Sequence, residues 1–156
     1  MKLHVLRHAK TNLGSESNED FDRKLASKGK KQVINLCSKL PDLRDVTIHC
    51  SSAVRAKETL GLILNERVAQ ETIFTRDLYL CSHLEILYYL NQLEGNSELM
   101  LVGHNSGLSD FVSYISDNFI QLKTCSYVCL EIEVDSWNLL SRGTARVIMA
   151  YRPEVE

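Results

Sequence analysis

Three short apolar runs along the chain predict buried, parallel β-strands. They cover residues 2–7, 46–50 and 98–103, and each is followed by polar or turn-forming residues, which is the pattern of strands covered on both faces. Toward the C-terminus, two further strand-like stretches at residues 127–134 and 145–151 are separated by a polar segment. We expect one or both of these stretches to form an antiparallel edge of the same sheet.

Between the strands, apolar residues recur at helical spacing, so that each predicted helix has one apolar face. In chain order, the members of these faces are Val33, Ile34, Cys37 and Leu40; Ala56, Leu60, Ile63 and Leu64; Leu84, Leu87 and Tyr88; and Leu108, Phe111, Val112 and Ile115. Ser82 is a suitable N-cap for the third of these helices. The alternation of strands and helices predicts an α/β fold, a three-layer sandwich with a mainly parallel central sheet, helices on both faces and an antiparallel edge toward the C-terminus.

Length and charge narrow the range of functions. The chain has 156 residues and a net charge of -2, which fits a single domain over residues 1–156 and gives no overall basic field for binding nucleic acid or a membrane surface. No apolar stretch is long enough to span a bilayer, and charged residues and histidines interrupt the N-terminal run. The five cysteines are scattered and mostly lie in apolar segments, so we expect reduced core thiols and a cytoplasmic protein.

Polar side chains with possible chemistry follow three of the predicted strands. Arg7 and His8 end the first strand, His104 follows the strand at residues 98–103, and Arg55 lies in the first helical turn after the strand at residues 46–50. In open α/β sheets, the carboxyl ends of parallel strands border the ligand crevice. We therefore expect these four side chains to converge on one site.

These residue types suit phosphoryl transfer. A neutral His8 can attack phosphorus through Nε2 if its Nδ1 proton is directed to a backbone carbonyl. Arg7 and Arg55 can bind phosphate oxygens, and a protonated His104 can donate to another oxygen. The free amides of the helix that opens at residues 105–108 would favour an anion nearby. Taken alone, however, each residue has a simpler interpretation, such as a solvated strand end or, for Arg55, a surface ion pair.

The remaining titratable residues support no further site. His4 and His49 lie inside strand patterns, where a hydrogen-bonded structural histidine is the simpler interpretation, and no spacing indicates a metal site. The carboxylates considered as proton donors to a leaving group are Asp20, Asp22, Glu71 and Glu85. For each of them a solvated carboxylate is the better interpretation, and no general acid is assigned. The polar segment 12–24 predicts a long loop beside the site, and whether it closes over a substrate stays open.

The chain resembles the histidine phosphatase superfamily, and more narrowly the small phosphohistidine phosphatases of the SixA type. The matching segments are Leu6-Arg7-His8-Ala9-Lys10-Thr11, Asp22-Arg23-Lys24-Leu25 with Lys28-Gly29, Ser51-Ser52-Ala53-Val54-Arg55-Ala56-Lys57-Glu58-Thr59, Asp77-Leu78-Tyr79, Leu101-Val102-Gly103-His104-Asn105-Ser106-Gly107, Lys123-Thr124-Cys125 and Trp137. The resemblance implies that His8 is the nucleophile, that Arg7 and Arg55 bind phosphate, and that His104 is the second histidine of the phosphate pocket. It also implies an α/β fold, no metal and no other cofactor.

The chain departs from the family pattern at few positions. Ala9 replaces a frequent glycine, although a small residue still lets the substrate approach, and Lys24 and Ser106 replace prolines. No residue matches the acid of the larger relatives, nor is there a match for their inserted cap, which favours phosphoramidate substrates. We expect a metal-independent phosphatase for a phosphohistidine-bearing protein, with a covalent phosphohistidine intermediate. Alternatives are a phosphatase of small phosphorylated metabolites and a non-catalytic phosphate-binding module; the oligomeric state is left open.

Overall fold

Strands and helices alternate along most of the chain in the computed structural model, which describes residues 1–154. The strands are β1 (Lys2–Arg7), β2 (Thr47–Ser51), β3 (Glu71–Thr75), β4 (Leu99–Gly103), β5 (Tyr127–Ile132) and β6 (Ala145–Tyr151). The α-helices are α1 (Ser27–Cys37), α2 (Val54–Leu64), α3 (His83–Asn91) and α4 (Gly107–Ser116). None of the helices within residues 1–154 combines the length and the apolar character that crossing a membrane requires.

The strands form one sheet in the order β3-β2-β4-β1-β5-β6. The first four strands in this order pair in parallel, whereas β5 pairs antiparallel with β1, and β6 antiparallel with β5. The predicted α/β fold with an antiparallel C-terminal edge is therefore confirmed. Because β2, β4 and β1 are parallel neighbours, their carboxyl ends meet at one edge of the sheet.

Alternating side chains of the central strands fill two separate core layers. Leu6 of β1 and Val102 of β4 are fully buried in the layer formed with α1 and α2. Val5 and Leu101 are fully buried in the opposite layer, with α3 and α4. Burial of each such side chain contributes about 1.5–3 kcal/mol. The two layers of helices therefore hold the central strands rigidly, and with them the residues at the strand ends.

Strand β3 was not predicted from the sequence. It lies at an edge of the sheet, where its five residues are at least partly exposed, so it lacks the continuous apolar run that marks β2 and β4. A short edge strand forms backbone hydrogen bonds to a neighbouring strand on one side only, and it needs few apolar residues because much of it is exposed. Its signal in the sequence is correspondingly weak.

Two predicted helix faces are partly wrong. In α1, Ile34 is 63% exposed. In α3, Leu84 and Tyr88 are 58% and 68% exposed, while Ile86 and Leu90 are the residues buried against the core. Apolar residues occur all around α3, so that periodicity alone could not select the face that packs.

The starts of α3 and α4 are fixed by local contacts. The predicted N-cap is confirmed, because Ser82 Oγ accepts from the backbone N–H of Glu85 at 3.2 Å and the Glu85 carboxylate accepts from the Ser82 N–H at 2.9 Å. Gly107 begins α4 where a Cβ atom would collide with the carbonyl oxygen of Cys81. The glycine therefore lets α4 start directly behind His104.

The cysteines are free thiols, as expected from the sequence. Cys81 is partly exposed, and the other four are buried. Burial raises the pKa of Cys50 and that of Cys125 to about 12, so that both thiols stay protonated at neutral pH. They fill the core and are not nucleophiles.

Candidate active site

The four side chains singled out in the sequence line one pocket at the carboxyl edge of the sheet. The pocket has a volume of about 900 Å³ and is lined by Arg7, His8, Arg55 and His104 together with residues of the loop 12–24. The ring centroids of His8 and His104 are 5.1 Å apart. Residues that are remote along the chain are thus brought together by the parallel order of β2, β4 and β1.

The two ring nitrogens of His8 have different partners: one contacts a backbone carbonyl and the other faces Arg55. Its Nδ1 lies 2.7 Å from the carbonyl oxygen of Ala9, and because a carbonyl can only accept, Nδ1 carries the proton. Nε2 is then an acceptor, and it receives the Nε–H of Arg55 at 3.3 Å. Burial, followed by the positive charges of Arg55 and Arg7, lowers the pKa of His8 to about 4. At neutral pH the imidazole is neutral and Nε2 carries no proton, so its lone pair could attack phosphorus once a bound phosphoryl group takes over the Nε–H of Arg55.

Arg55 lies in the first turn of α2 and is only 3% exposed. One end of its guanidinium, formed by Nη1 and Nη2, donates to the backbone oxygen and the carboxylate of Asp20 at 2.7 and 2.9 Å. The side of the guanidinium that carries Nε faces His8. Arg55 is therefore anchored through one edge and presents another edge beside the imidazole.

Arg7 is the last residue of β1, and its guanidinium is also hydrogen-bonded at one nitrogen. Nη1 donates to the carbonyl oxygen of Leu122 at 2.9 Å, whereas the buried Nε has no hydrogen-bond partner among the described residues. Burial and the nearby Arg55 lower the pKa of Arg7, although an arginine stays charged in proteins. Arg7 therefore adds positive charge to the pocket and retains unused donor capacity.

His104 is the first residue after β4 and is 4% exposed. Its Nε2 lies 2.7 Å from Ser51 Oγ, and its buried Nδ1 has no hydrogen-bond partner within residues 1–154. Burial, followed by repulsion from His8, which is itself protonated at such low pH, and from Arg55, lowers the pKa of His104 to about 3. The structure differs here from the expectation of a protonated His104, because the ring is neutral at physiological pH.

Asp20 lines the pocket and is largely exposed, as expected of a loop carboxylate, but sequence reasoning gave it no role there. Its carboxylate accepts from Arg55 at 2.9 Å and from the Tyr79 hydroxyl at 2.6 Å. Arg23 donates to the same carboxylate at 3.2 Å. These bonds, that of Tyr79 above all, hold the pKa of Asp20 well below its usual range. A guanidinium buried as deeply as that of Arg55 needs an anionic partner, and Asp20 supplies it.

The loop 12–24 is docked over one side of the pocket by aromatic contacts. Phe21 meets Tyr79 edge to face, with ring centroids 5.0 Å apart, and the guanidinium of Arg76 lies 4.4 Å from the Phe21 ring centroid. The ring of Tyr79 also packs edge-on against His104, with centroids 5.4 Å apart. The loop, the segment at residues 76–79 and His104 therefore form one continuous wall.

Two details of the pocket concern backbone groups, and the second corrects an expectation. Ala9 is fully buried in the core, so that it acts through its backbone: its carbonyl holds His8, and its N–H donates to Thr59 Oγ1 at 3.1 Å. The amides at the start of α4 are not all free, because Leu108 N–H donates to the His104 carbonyl at 3.1 Å. The amide of Leu108 is therefore not free for an anion.

The other carboxylates and histidines considered in the sequence lie outside the pocket. Asp22 accepts from Ser17 Oγ at 2.7 Å, and Glu85 is part of the α3 cap. His4 is buried between Tyr127 and Glu98, and His49 is hydrogen-bonded to Tyr89. Glu71 begins the edge strand β3.

Sequence reasoning gave no role to three residues that organise the pocket: Ser51, Thr59 and Tyr79. Ser51 and Thr59 lie in the segment around Arg55 that carries the family resemblance, and Tyr79 ends another matching segment. A hydroxyl in a matching segment was therefore the available signal. Its hydrogen-bond partner depends on tertiary structure and could not be read from the sequence.

Comparison with known proteins supports the family resemblance. A family model described as histidine phosphatase superfamily (branch 1) matches residues 3–79, which include His8 and Arg55. An uncharacterized chloroplastic protein of Arabidopsis thaliana is 28% identical over 153 residues, covering 87% of this chain and 68% of the relative.

Solved structures share the fold over almost the whole chain. A protein assigned as phosphohistidine phosphatase SixA of Nakamurella multipartitia superposes with a TM-score of 0.80 at 19% identity, covering 99% of this chain and 96% of the other. The protein histidine phosphatase SixA complexed with tungstate gives a TM-score of 0.77 at 16% identity, with 97% of each chain covered. At these identities, the likeness concerns the fold.

Proposed function

We propose that this chain, whose residues 3–79 match the model of the histidine phosphatase superfamily (branch 1), is a metal-independent phosphohistidine phosphatase acting on a phosphorylated protein. The observation that carries the proposal is the state of His8: Nδ1 is bonded to the Ala9 carbonyl, and a neutral Nε2 lies beside the guanidinium of Arg55. Arg7, Arg55 and His104 are the proposed phosphate-binding residues. The two guanidiniums supply the positive charge that phosphoryl transfer requires.

The first step transfers the phosphoryl group to His8. The Nε2 lone pair forms a bond to phosphorus while the P–N bond of the substrate breaks, and that electron pair stays on the substrate nitrogen. A phosphohistidine protonated on its other ring nitrogen leaves as neutral imidazole. The departing group therefore needs no proton from the enzyme.

The second step regenerates His8. Water attacks phosphorus, the P–Nε2 bond breaks with its electron pair returning to Nε2, and a proton of the water passes to the released phosphate. Throughout, Nδ1 keeps its proton on the Ala9 carbonyl. The phosphorylated His8 is thus itself a protonated phosphoramidate with a good leaving group, and two easier displacements replace one difficult one.

The ionisation of Asp20 supports the choice of a phosphoramidate over an alkyl phosphate ester. Departure of an alkoxide requires a proton donor in the transition state. The carboxylate of Asp20, which lines the pocket, is held ionised by Tyr79, Arg55 and Arg23, and cannot serve as that donor. The related structure solved with tungstate is named as a protein histidine phosphatase, which supports a protein substrate for this chain.

Chemical trapping tests the proposal. Purified wild-type protein, His8→Ala and the control His83→Ala are mixed with a radiolabelled phosphohistidine protein without added metal and quenched within milliseconds. We expect an acid-labile, alkali-stable label on the wild-type protein and on His83→Ala, and none on His8→Ala. His83 lies at the start of α3, outside the pocket lining.

Other outcomes identify the alternatives. Phosphate binding without a covalent label in the wild-type protein would indicate a non-catalytic binding module. If sugar or nucleotide phosphates label the protein and are hydrolysed with a higher kcat/KM than the phosphohistidine protein, the protein is a metabolite phosphatase. Unchanged labelling of His8→Ala would remove His8 as the nucleophile.

A further inference from the structure

Ser51 makes a contact that bears on the state of His104. It is the last residue of β2 and is fully buried. Its Oγ lies 2.7 Å from Nε2 of His104 and accepts the backbone N–H of Ala53 at 3.2 Å. The hydroxyl thus lies between the turn that leads into α2 and the second histidine of the pocket.

A count of protons selects one arrangement of this contact. A serine hydroxyl has a single proton to donate. If that proton goes to Nε2 of His104, the hydroxyl donates once and accepts once, and both of its bonds are satisfied. If Nε2 instead donates to Oγ, the oxygen receives two donors, and its own proton has no acceptor among the described residues. An unsatisfied polar hydrogen in a fully buried site is unfavourable.

We infer that Ser51 is a positioning residue that holds neutral His104 in the tautomer with Nδ1 protonated, so that Nδ1–H is the ring donor to the bound phosphoryl group. This inference deepens the proposed function and rests on it for the identity of the bound group. Nδ1 is buried and has no partner among the described residues, and the ring lines the pocket beside His8.

A neutral donor fits the charge of the pocket. Burial above all, with a contribution from the positive charges of Arg55 and Arg7, lowers the pKa of His104 to about 3. A third positive charge would be unfavourable in the empty site, whereas a neutral N–H donor needs no protonation before the substrate binds.

The partner must be a hydroxyl for this to work. A carboxylate or a carbonyl at the position of Ser51 could only accept, which would hold the proton on Nε2 and turn a lone pair of Nδ1 toward the oxyanion. His8 shows this opposite case, because its Nδ1 bonds to the carbonyl of Ala9 and its other nitrogen is left as the nucleophile. One hydroxyl and one carbonyl therefore give the two histidines their different tasks.

The experiment measures the tautomer directly. Nitrogen-15 NMR of ring-labelled protein at pH 7 reports which nitrogen of His104 carries the proton, with His104→Gln used to assign the signals. The variants are Ser51→Ala and a matched control, Ser116→Ala, which removes another buried serine hydroxyl, one that donates to the Val112 carbonyl. Inorganic phosphate is the titrated ligand, and its Kd is measured for each protein.

We expect the wild-type protein and Ser116→Ala to have Nδ1 protonated and Nε2 unprotonated. In Ser51→Ala, the tautomer protonated on Nε2 becomes populated, and phosphate binds roughly 10-fold more weakly because one hydrogen bond to a charged ligand is lost. Weaker phosphate binding with an unchanged tautomer signal would indicate a loss of packing alone and would overturn the inference.

Wild-type protein with the proton of His104 on Nε2 overturns the inference, even if Ser51→Ala does not fold. An unchanged tautomer and an unchanged phosphate Kd in folded Ser51→Ala overturn it as well. Neither readout depends on turnover, so a failure of the proposed phosphatase activity is distinguishable from a failure of the role of Ser51.

Discussion

Replacement of Arg55 by lysine isolates the contribution of the guanidinium fork. Arg55→Lys keeps the positive charge and most of the side-chain length. In the structure, the guanidinium donates at three points: to Nε2 of His8 at 3.3 Å, and to the backbone oxygen and the carboxylate of Asp20 at 2.7 and 2.9 Å. A single ammonium group cannot hold both oxygens of Asp20 and also place an N–H beside His8.

The expected effect on catalysis is large, and the effect on stability is small. Loss of one preorganised donor to the transferring group lowers kcat by about 100-fold or more, as for oxyanion-hole donors. The lost bonds to Asp20 lower the free energy of unfolding by about 1 kcal/mol, because the side chain of Asp20 is 43% exposed and solvent screens the pair. The variant should therefore fold and be nearly inactive.

Steady-state turnover of an aryl phosphate, together with urea denaturation, checks this prediction. Arg67→Lys is the matched control, because Arg67 is a partly buried arginine that donates to the carbonyl of Cys37, and neither residue lines the pocket. We expect Arg67→Lys to retain wild-type kcat. If Arg55→Lys keeps more than a third of the wild-type kcat, charge alone is sufficient and the reasoning from the fork is wrong.

Further predictions concern pH and stability. The pKa of His8 in the folded protein is about 4, below its ordinary value, so the unfolded chain takes up this proton at a higher pH than the folded protein does. The free energy of unfolding should therefore fall by on the order of 3 kcal/mol between pH 7 and pH 4. In His8→Ala, the free energy of unfolding measured by urea denaturation should depend less steeply on pH. Asp20→Asn should lower the free energy of unfolding by about 1 kcal/mol at pH 7. Because the pKa of Asp20 is lowered in the folded protein, the difference in the free energy of unfolding between the variant and the wild type should shrink as the pH falls below about 4, as measured by urea denaturation. Ser82→Ala removes the cap of α3 and should cost about 1 kcal/mol without changing kcat.

The central fold was predictable because its signals are local and strong. The continuous apolar runs of β1 and β4 and the clear apolar face of α4 required burial on specific sides, and the structure has them there. The edge strand β3 and the packing face of α3 were missed for a physical reason. An exposed edge needs few apolar residues, and a short helix that is apolar all around can pack by more than one face.

The pocket was predictable to the extent that strand ends determine positions. Arg7, His8 and His104 follow directly from the carboxyl ends of β1 and β4, so their convergence required only the parallel order of the strands. Asp20 and Ser51 were not assigned because their partners are set by tertiary contacts. The pKa values of the two histidines were likewise inaccessible, since burial and the neighbouring arginines cause them.

A crystal structure of the protein soaked with orthovanadate tests the central claim most directly, namely that two imidazoles and two guanidiniums bind one oxyanion. We expect vanadium bonded to Nε2 of His8, with its oxygens within hydrogen-bond distance of Arg7, Arg55 and Nδ1 of His104. Vanadate bound elsewhere, or bound in the pocket without a bond to Nε2 of His8, would contradict it.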